Sequence, residues 1–157
     1  MSDSLATYLH DHLAASNFAI ELLGSLRDRS SGDDVGHVAS ALLPEIEADR
    51  EQLRQIIDQI GKASADLKEL AGWLTEKVSR FKLRHDSGGL ATYEAIETIS
   101  LGILGKIALW RALAVVAERD DRLRGVDFEK LIARGETQHS LAEQTRLQLA
   151  RTAFLRD

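Results

Sequence analysis

The sequence predicts an all-α chain, an up-down four-helix bundle of long helices with a shorter crossover helix between two hairpins. Three observations predict it. The chain has one proline in 157 residues and little β-branched or aromatic enrichment, which favours helix over strand. Four stretches of about 25–29 residues carry helical periodicity, and each would be roughly 40 Å long. The stretch Tyr93–Leu113, YEAIETISLGILGKIALWRAL, is apolar on nearly every side, and such a helix belongs in the centre of a bundle.

The first helix is expected from about Ser4 to Asp28, with cap oxygens from Ser2, Asp3 and Ser4 and a buried stripe of Leu5, Leu9, His12, Leu13, Ser16, Ala19, Ile20 and Leu23. RSSGDDVG ends it and supplies Asp33 or Asp34 as the next N-cap. The second helix runs from about Val35 to Ile60, with Leu42, Leu43, Ile46, Leu53, Ile56, Ile57 and Ile60 inward. Pro44 predicts a kink or break within it, and Gly61 its stop. A third, shorter helix spans about Ser64–Arg84 and ends at HDSGG. The fourth spans about Leu90–Glu118, and the fifth runs from Phe128 to Leu155 with Asp127 as its cap. The third helix, roughly 30 Å long, would carry the chain back along the bundle, so the second and fourth would run parallel.

At 157 residues, residues 1–157 are expected to form a single domain. The absence of cysteine excludes disulfides and thiolate metal ligands and fits a cytoplasmic location. The start, MSDSLATYLHDHLAAS, lacks the basic and apolar regions of a secretory signal. Ile99–Val116, the most apolar run, is interrupted by Lys106 and Arg111, so no transmembrane segment is expected. A net charge of -5 argues against nucleic-acid binding. There is no G-x-S-x-G elbow and no glycine-rich phosphate loop, and no residue is assigned as catalytic.

Several stretches carry a family resemblance: YLHDHLAASNFAIELL in the first helix, WLTEKVSRFKL in the third, SLGILGKIALWRAL in the fourth and DFEKLIARGETQ in the fifth. On these the chain resembles the ferritin-like superfamily, especially uncharacterised bacterial ferritin-like proteins. Metal-binding members of that superfamily use a Glu and a Glu-x-x-His in each hairpin. The resemblance implies candidate ligands for iron or manganese at Glu21, Glu47, Glu94, Glu97, Glu136 and His139, although Arg50 stands where one histidine is expected.

Register argues against that site. If the first hairpin turns near Gly32, Glu47 lies opposite Asn17 and Glu21 opposite Leu43. If the second turns near Asp121–Arg124, Glu97 faces Gln148, one turn from Arg146, and Glu136 faces Leu109. Glu97 and Glu136 would then lie roughly 15–18 Å apart, whereas a dinuclear site holds its metals about 3.5–4 Å apart. The preferred reading closes the bundle with ion pairs instead. Glu94, Glu97 and Glu21 would lie near Arg146, and Asn17, Arg50, Lys106 and Gln138 would form a second polar layer.

Other features are weaker. Gly102 and Gly105 suggest a tight helix crossing within the bundle, with a dimer contact as the alternative. Trp73 and Trp110 read as packing anchors. Lys77, Arg80, Lys82 and Arg84 form a basic strip that could take an anion or a protein or lipid partner, and a solvated helix face is the plain alternative. The expected function is therefore a non-enzymatic bundle acting by association, with a homodimer as the first candidate. The alternatives are a di-iron or di-manganese oxidase or storage protein, and a binding module using the basic third helix.

Overall fold

The computed structural model describes residues 4–61 and 89–155. Within them the chain forms four long helices and no strand. They are α1 (Ser4–Arg29), α2 (Asp34–Ile60), α3 (Leu90–Ala117) and α4 (Phe128–Phe154), with a short 3₁₀ turn at Asp121–Leu123 before α4. The first, second, fourth and fifth expected helices are thus α1 to α4. The expected third helix, with Trp73 and the strip Lys77, Arg80, Lys82 and Arg84, lies outside the described residues.

The helix ends follow local chemistry. The Asp33 carboxylate accepts the Gly36 N–H at 2.9 Å and caps α2. Gly61 ends α2 in the left-handed region (φ 75°), and its N–H returns to the carbonyls of Ile57 and Asp58. Asp127 caps α4 by accepting from the Lys130 N–H at 3.0 Å. The break expected at Pro44 does not occur, and α2 continues through it as one helix. Pro44 and Ser40 are both exposed, so the Ser40 carbonyl that loses its intrahelical partner faces water.

Two apolar clusters set the relative directions. One joins Leu22, Leu26, Val35, Leu42, Ile96, Ile99 and Ala142, and the other joins Leu9, Leu13, Leu53, Ile56, Leu109, Trp110 and Leu131. The end of α1, the start of α2, the start of α3 and the end of α4 therefore share one end of the bundle. It follows that α2 and α3 run parallel and that α1/α2 and α3/α4 are antiparallel hairpins. The hairpins meet through α1 against α3 and α2 against α4. Each helix occupies one corner, so α3 is not central, as its composition suggested. It is long and apolar enough to cross a membrane by length and composition, and much of its apolar surface faces outward.

Two glycines distinguish packing from propensity. A Cβ on Gly36 would lie 2.0 Å from the Ser30 carbonyl oxygen, where backbone blocks it, whereas a Cβ on Gly24 would meet nothing within 4 Å. Gly36→Ala is expected to destabilise the fold by about 1–3 kcal/mol or more, as overpacking does. Gly24→Ala, inside α1, should stabilise it by about 0.5–1 kcal/mol. Urea unfolding followed by circular dichroism checks both signs.

Candidate functional site

The candidate site is a polar layer between the two apolar clusters. The inward stripe of α2 runs 42, 46, 49, 53, 56, 60, and that of α3 runs 96, 99, 103, 106, 110, 113. The stripe of α4 runs 128, 131, 135, 138, 142, 145, and that of α1 includes 9, 13, 16, 20, 23. Each repeats in steps of three and four, as a packed helix face must. Each also holds a polar residue near mid-height: Asp49, Lys106, Gln138 and Ser16.

Asp49 is the centre, with a side chain 2 % exposed. One carboxylate oxygen accepts from the Lys106 ammonium and the other from the Arg134 guanidinium. The Gln138 amide donates to Asp49 at 3.1 Å and to Glu45 at 2.9 Å, while its carbonyl accepts from Lys106. Two cations and an amide thus converge on one buried carboxylate. Burial lowers the Lys106 pKa from its ordinary value, and the neighbouring Asp49 carboxylate opposes part of that shift. A lysine with a lowered folded pKa makes the fold gain stability as pH rises from that folded value towards the ordinary one.

Beside this layer a partly open cavity of about 60 Å³ lies between α1, α2 and α3. Its walls include Ala15, Ser16, Ala19 and Gly102, which are too small to fill it, and Asp49 and Lys106 also line it. Arg50 and Trp110 also line it. The Arg50 Nη1 donates to the Asn17 side-chain carbonyl at 3.3 Å, but its Nε and the Trp110 Nε1 are buried without a partner. Each such unpaired N–H costs about 1–3 kcal/mol. His12 lines the same cavity, and burial lowers its pKa.

A second cluster lies nearer the bundle end that holds the start of α3. Arg146 donates to the Tyr93 hydroxyl at 2.5 Å and to Glu97 at 3.3 Å, and the Tyr93 hydroxyl donates to Glu97 at 3.1 Å. Glu143 accepts from Arg146 at 2.6 Å and from the Ser100 hydroxyl at 3.1 Å. These bonds, the Arg146 bond first, lower the Glu143 pKa to about 2. Its stabilising effect is present above the ordinary glutamate range and is lost as pH falls towards 2. The cluster is partly exposed, so solvent screens it.

The sequence candidates separate into those the fold brings together and those it does not. Lys106 meets Gln138, Arg50 meets Asn17, and Glu97 meets Arg146. Glu94 is half-buried one turn from Glu97. Glu21 is exposed, not part of a buried pair, because it lies on the outer side of α1 from Leu22 and Leu23. Glu47 is exposed for the same reason beside Ile46. Glu136 is exposed and pairs with Arg111 at 3.0 Å. That places it about 20 Å along the hairpin from Glu97 by helix rise. His139 is half-buried and close enough to Glu143 to lower its pKa. Among the described residues no three His, Asp or Glu side chains gather as a metal-ligand group. Gly102 and Gly105 do not mark a tight crossing, since a Cβ on either would meet nothing within 4 Å. The close contact is at Gly135, where a Cβ would lie 2.7 Å from Ile107.

Sequence reasoning missed Asp49, Arg134, Glu45, Tyr93 and Glu143. For Asp49 the signal was present, since it continues the stripe from Ile46 to Leu53. Compared with known proteins, the chain matches no family model, no curated protein and no solved structure.

Asp49→Ala is expected to destabilise the fold by about 3–5 kcal/mol, because it leaves the largely buried Lys106 ammonium without its carboxylate. Asp49→Leu combined with Lys106→Met should recover most of that loss, since Arg134 is 31 % exposed and can turn to water. Chemical unfolding of the single and double variants gives both numbers.

Proposed function

We propose that this chain is a ferritin-like bundle without a working dinuclear centre, which acts by associating with a second copy of itself through the outer face of α3. The parallel course of α2 and α3 supports the ferritin-like reading. Ile60 and Ala95 pack at opposite bundle ends, as one crossover between two hairpins requires. The absence of a dinuclear centre is supported by what fills the bundle middle, a carboxylate already engaged by two cations and an amide.

The observation that carries association is the outer face of α3. Leu101 is 62 % exposed and Val115 67 %. Leu104, Ala108 and Ala112 are exposed between them, with Gly105 alongside. A contiguous apolar face of this kind marks a contact surface, and its small residues let a second backbone come close. The face is also self-complementary. In an antiparallel pair centred on Ala108, Leu101 meets Val115 of the partner subunit, and Leu104 meets Ala112 of the partner subunit. The acidic start of the stripe, Glu94 and Glu97, then lies against the exposed Arg119 of the partner subunit.

Light scattering and sedimentation equilibrium are expected to give a dimer. Leu101→Glu and Ala108→Glu should each give a monomer with unchanged thermal unfolding of the protomer. A wild-type monomer at high concentration, or a dimer that ignores both changes, overturns the reading. Binding of the wild-type monomer to lipid vesicles would assign the face to a membrane surface instead.

Protein made in cells supplied with iron and manganese should carry far less than the roughly two metal ions per chain of a dinuclear site, by elemental mass spectrometry. Two equivalents that disappear in Glu97→Ala would restore the oxidase or storage alternative.

A further inference from the structure

The cavity between α1, α2 and α3 lies on a different side of α3 from the proposed association face. We propose that it is a binding site for a small monocarboxylate, with the head group on Arg50 and the short chain against the apolar wall.

The polar side of the cavity leaves two buried donors without an acceptor. Arg50 Nε and Trp110 Nε1 are buried N–H groups on two different helices, and neither has an acceptor. Trp110 is 1 % exposed, so bulk water does not serve it. The one carboxylate in the lining, Asp49, already accepts from Lys106, Arg134 and Gln138. The balance of charge has the same sign. Lys106 and Arg134 are offset by Asp49 and the nearby Glu45, and Arg50 adds a third cation whose side-chain bond goes to the neutral carbonyl of Asn17. A group that completes this site brings acceptor atoms and negative charge.

The shape restricts the class further. Most of the wall is aliphatic, including Leu23, Leu53 and Ile103. Inorganic phosphate would leave that wall against a fully hydrated ion, and a neutral alcohol would leave the guanidinium uncompensated. A carboxylate presents two coplanar oxygens that match the guanidinium fork, and its alkyl chain suits the wall. An engineered apolar cavity of about 150 Å³ takes a benzene ring, so about 60 Å³ suits a chain of roughly two to four carbons. The opening to solvent supplies an entry path.

The test uses the full chain carrying Trp73→Phe, so that emission reports Trp110 alone. Sodium acetate, propionate and butyrate are titrated at constant ionic strength, with 1-butanol and inorganic phosphate as controls. Calorimetry is run in parallel. Saturable binding is expected for the carboxylates at about millimolar concentrations, with 1-butanol and phosphate at least about tenfold weaker. Arg50→Met should weaken butyrate by about tenfold or more. Ser16→Leu, which fills the cavity from α1 and leaves the charges alone, should abolish binding while the fold is retained. Equal response to butyrate and 1-butanol overturns the proposal, as does binding that survives Ser16→Leu. No saturable response to any carboxylate also overturns it and leaves a water-filled cavity.

Discussion

A single buried carboxylate, Asp49, determines how the two hairpins of this bundle fit together. The apolar stripes alone would tolerate several registers, because Leu, Ile and Ala repeat along all four helices. A charge in the middle of one stripe removes that freedom. Asp49 is acceptable in the core only at the height where Lys106 on α3 and Arg134 and Gln138 on α4 arrive together. Sliding one hairpin past the other by a turn, about 5.4 Å, would take the buried Asp49 away from Lys106, Arg134 and Gln138, which all lie on the other hairpin. The layer acts as a register key, in the manner of a polar core position in a coiled coil. Its net effect on stability is small beside this effect on specificity, because desolvation offsets most of the attraction.

The same layer decides what the bundle interior can hold. Asp49, Lys106 and Gln138 meet in it from three of the four helices, whereas the inward stripe of α1 offers Ser16, whose hydroxyl turns back to the Leu13 carbonyl at 2.7 Å. The layer is therefore complete on the α4 side and open on the α1 side, where the cavity lies. On that open side two buried donors, Arg50 Nε and Trp110 Nε1, have no acceptor. Arg50 lines the open side, where its bond goes to the neutral Asn17 carbonyl and its Nε has no partner.

The four long helices were legible in the sequence because their signals are local. Asp33, Gly61 and Asp127 are capping residues at the positions where helices start or stop. The register of the second hairpin was legible too, since turn position and helix rise placed Glu97 near Arg146, and the two meet at 3.3 Å. The polar layer was only partly legible. Lys106 and Gln138 stood out as charges or amides in apolar surroundings, whereas Asp49 was hidden among Glu45, Glu47, Arg50 and Glu51. Composition reads that run as a solvated face, and only the step of three and four from Ile46 to Leu53 marks Asp49 as inward. Tyr93 and Glu143 depend on long-range geometry that no local pattern encodes.

The apolar character of α3 has a different meaning once its place is known. A helix hydrophobic nearly all round suits the centre of a bundle, but four antiparallel helices have no central member, and α3 occupies a corner like the others. Its inward stripe is already sufficient for the core: Ile96, Ile99, Ile103, Trp110 and Leu113 are all buried. Leu101, Leu104 and Val115 are surplus to that core and remain exposed. Polar substitution on an outward face costs the fold little, so core packing gives no reason for these positions to be apolar. The association proposed above would supply such a reason. The order of residues along the face, acidic before the apolar stretch and arginine after it, suits an antiparallel copy of the same helix better than a uniform lipid surface, which offers no partner for either charge.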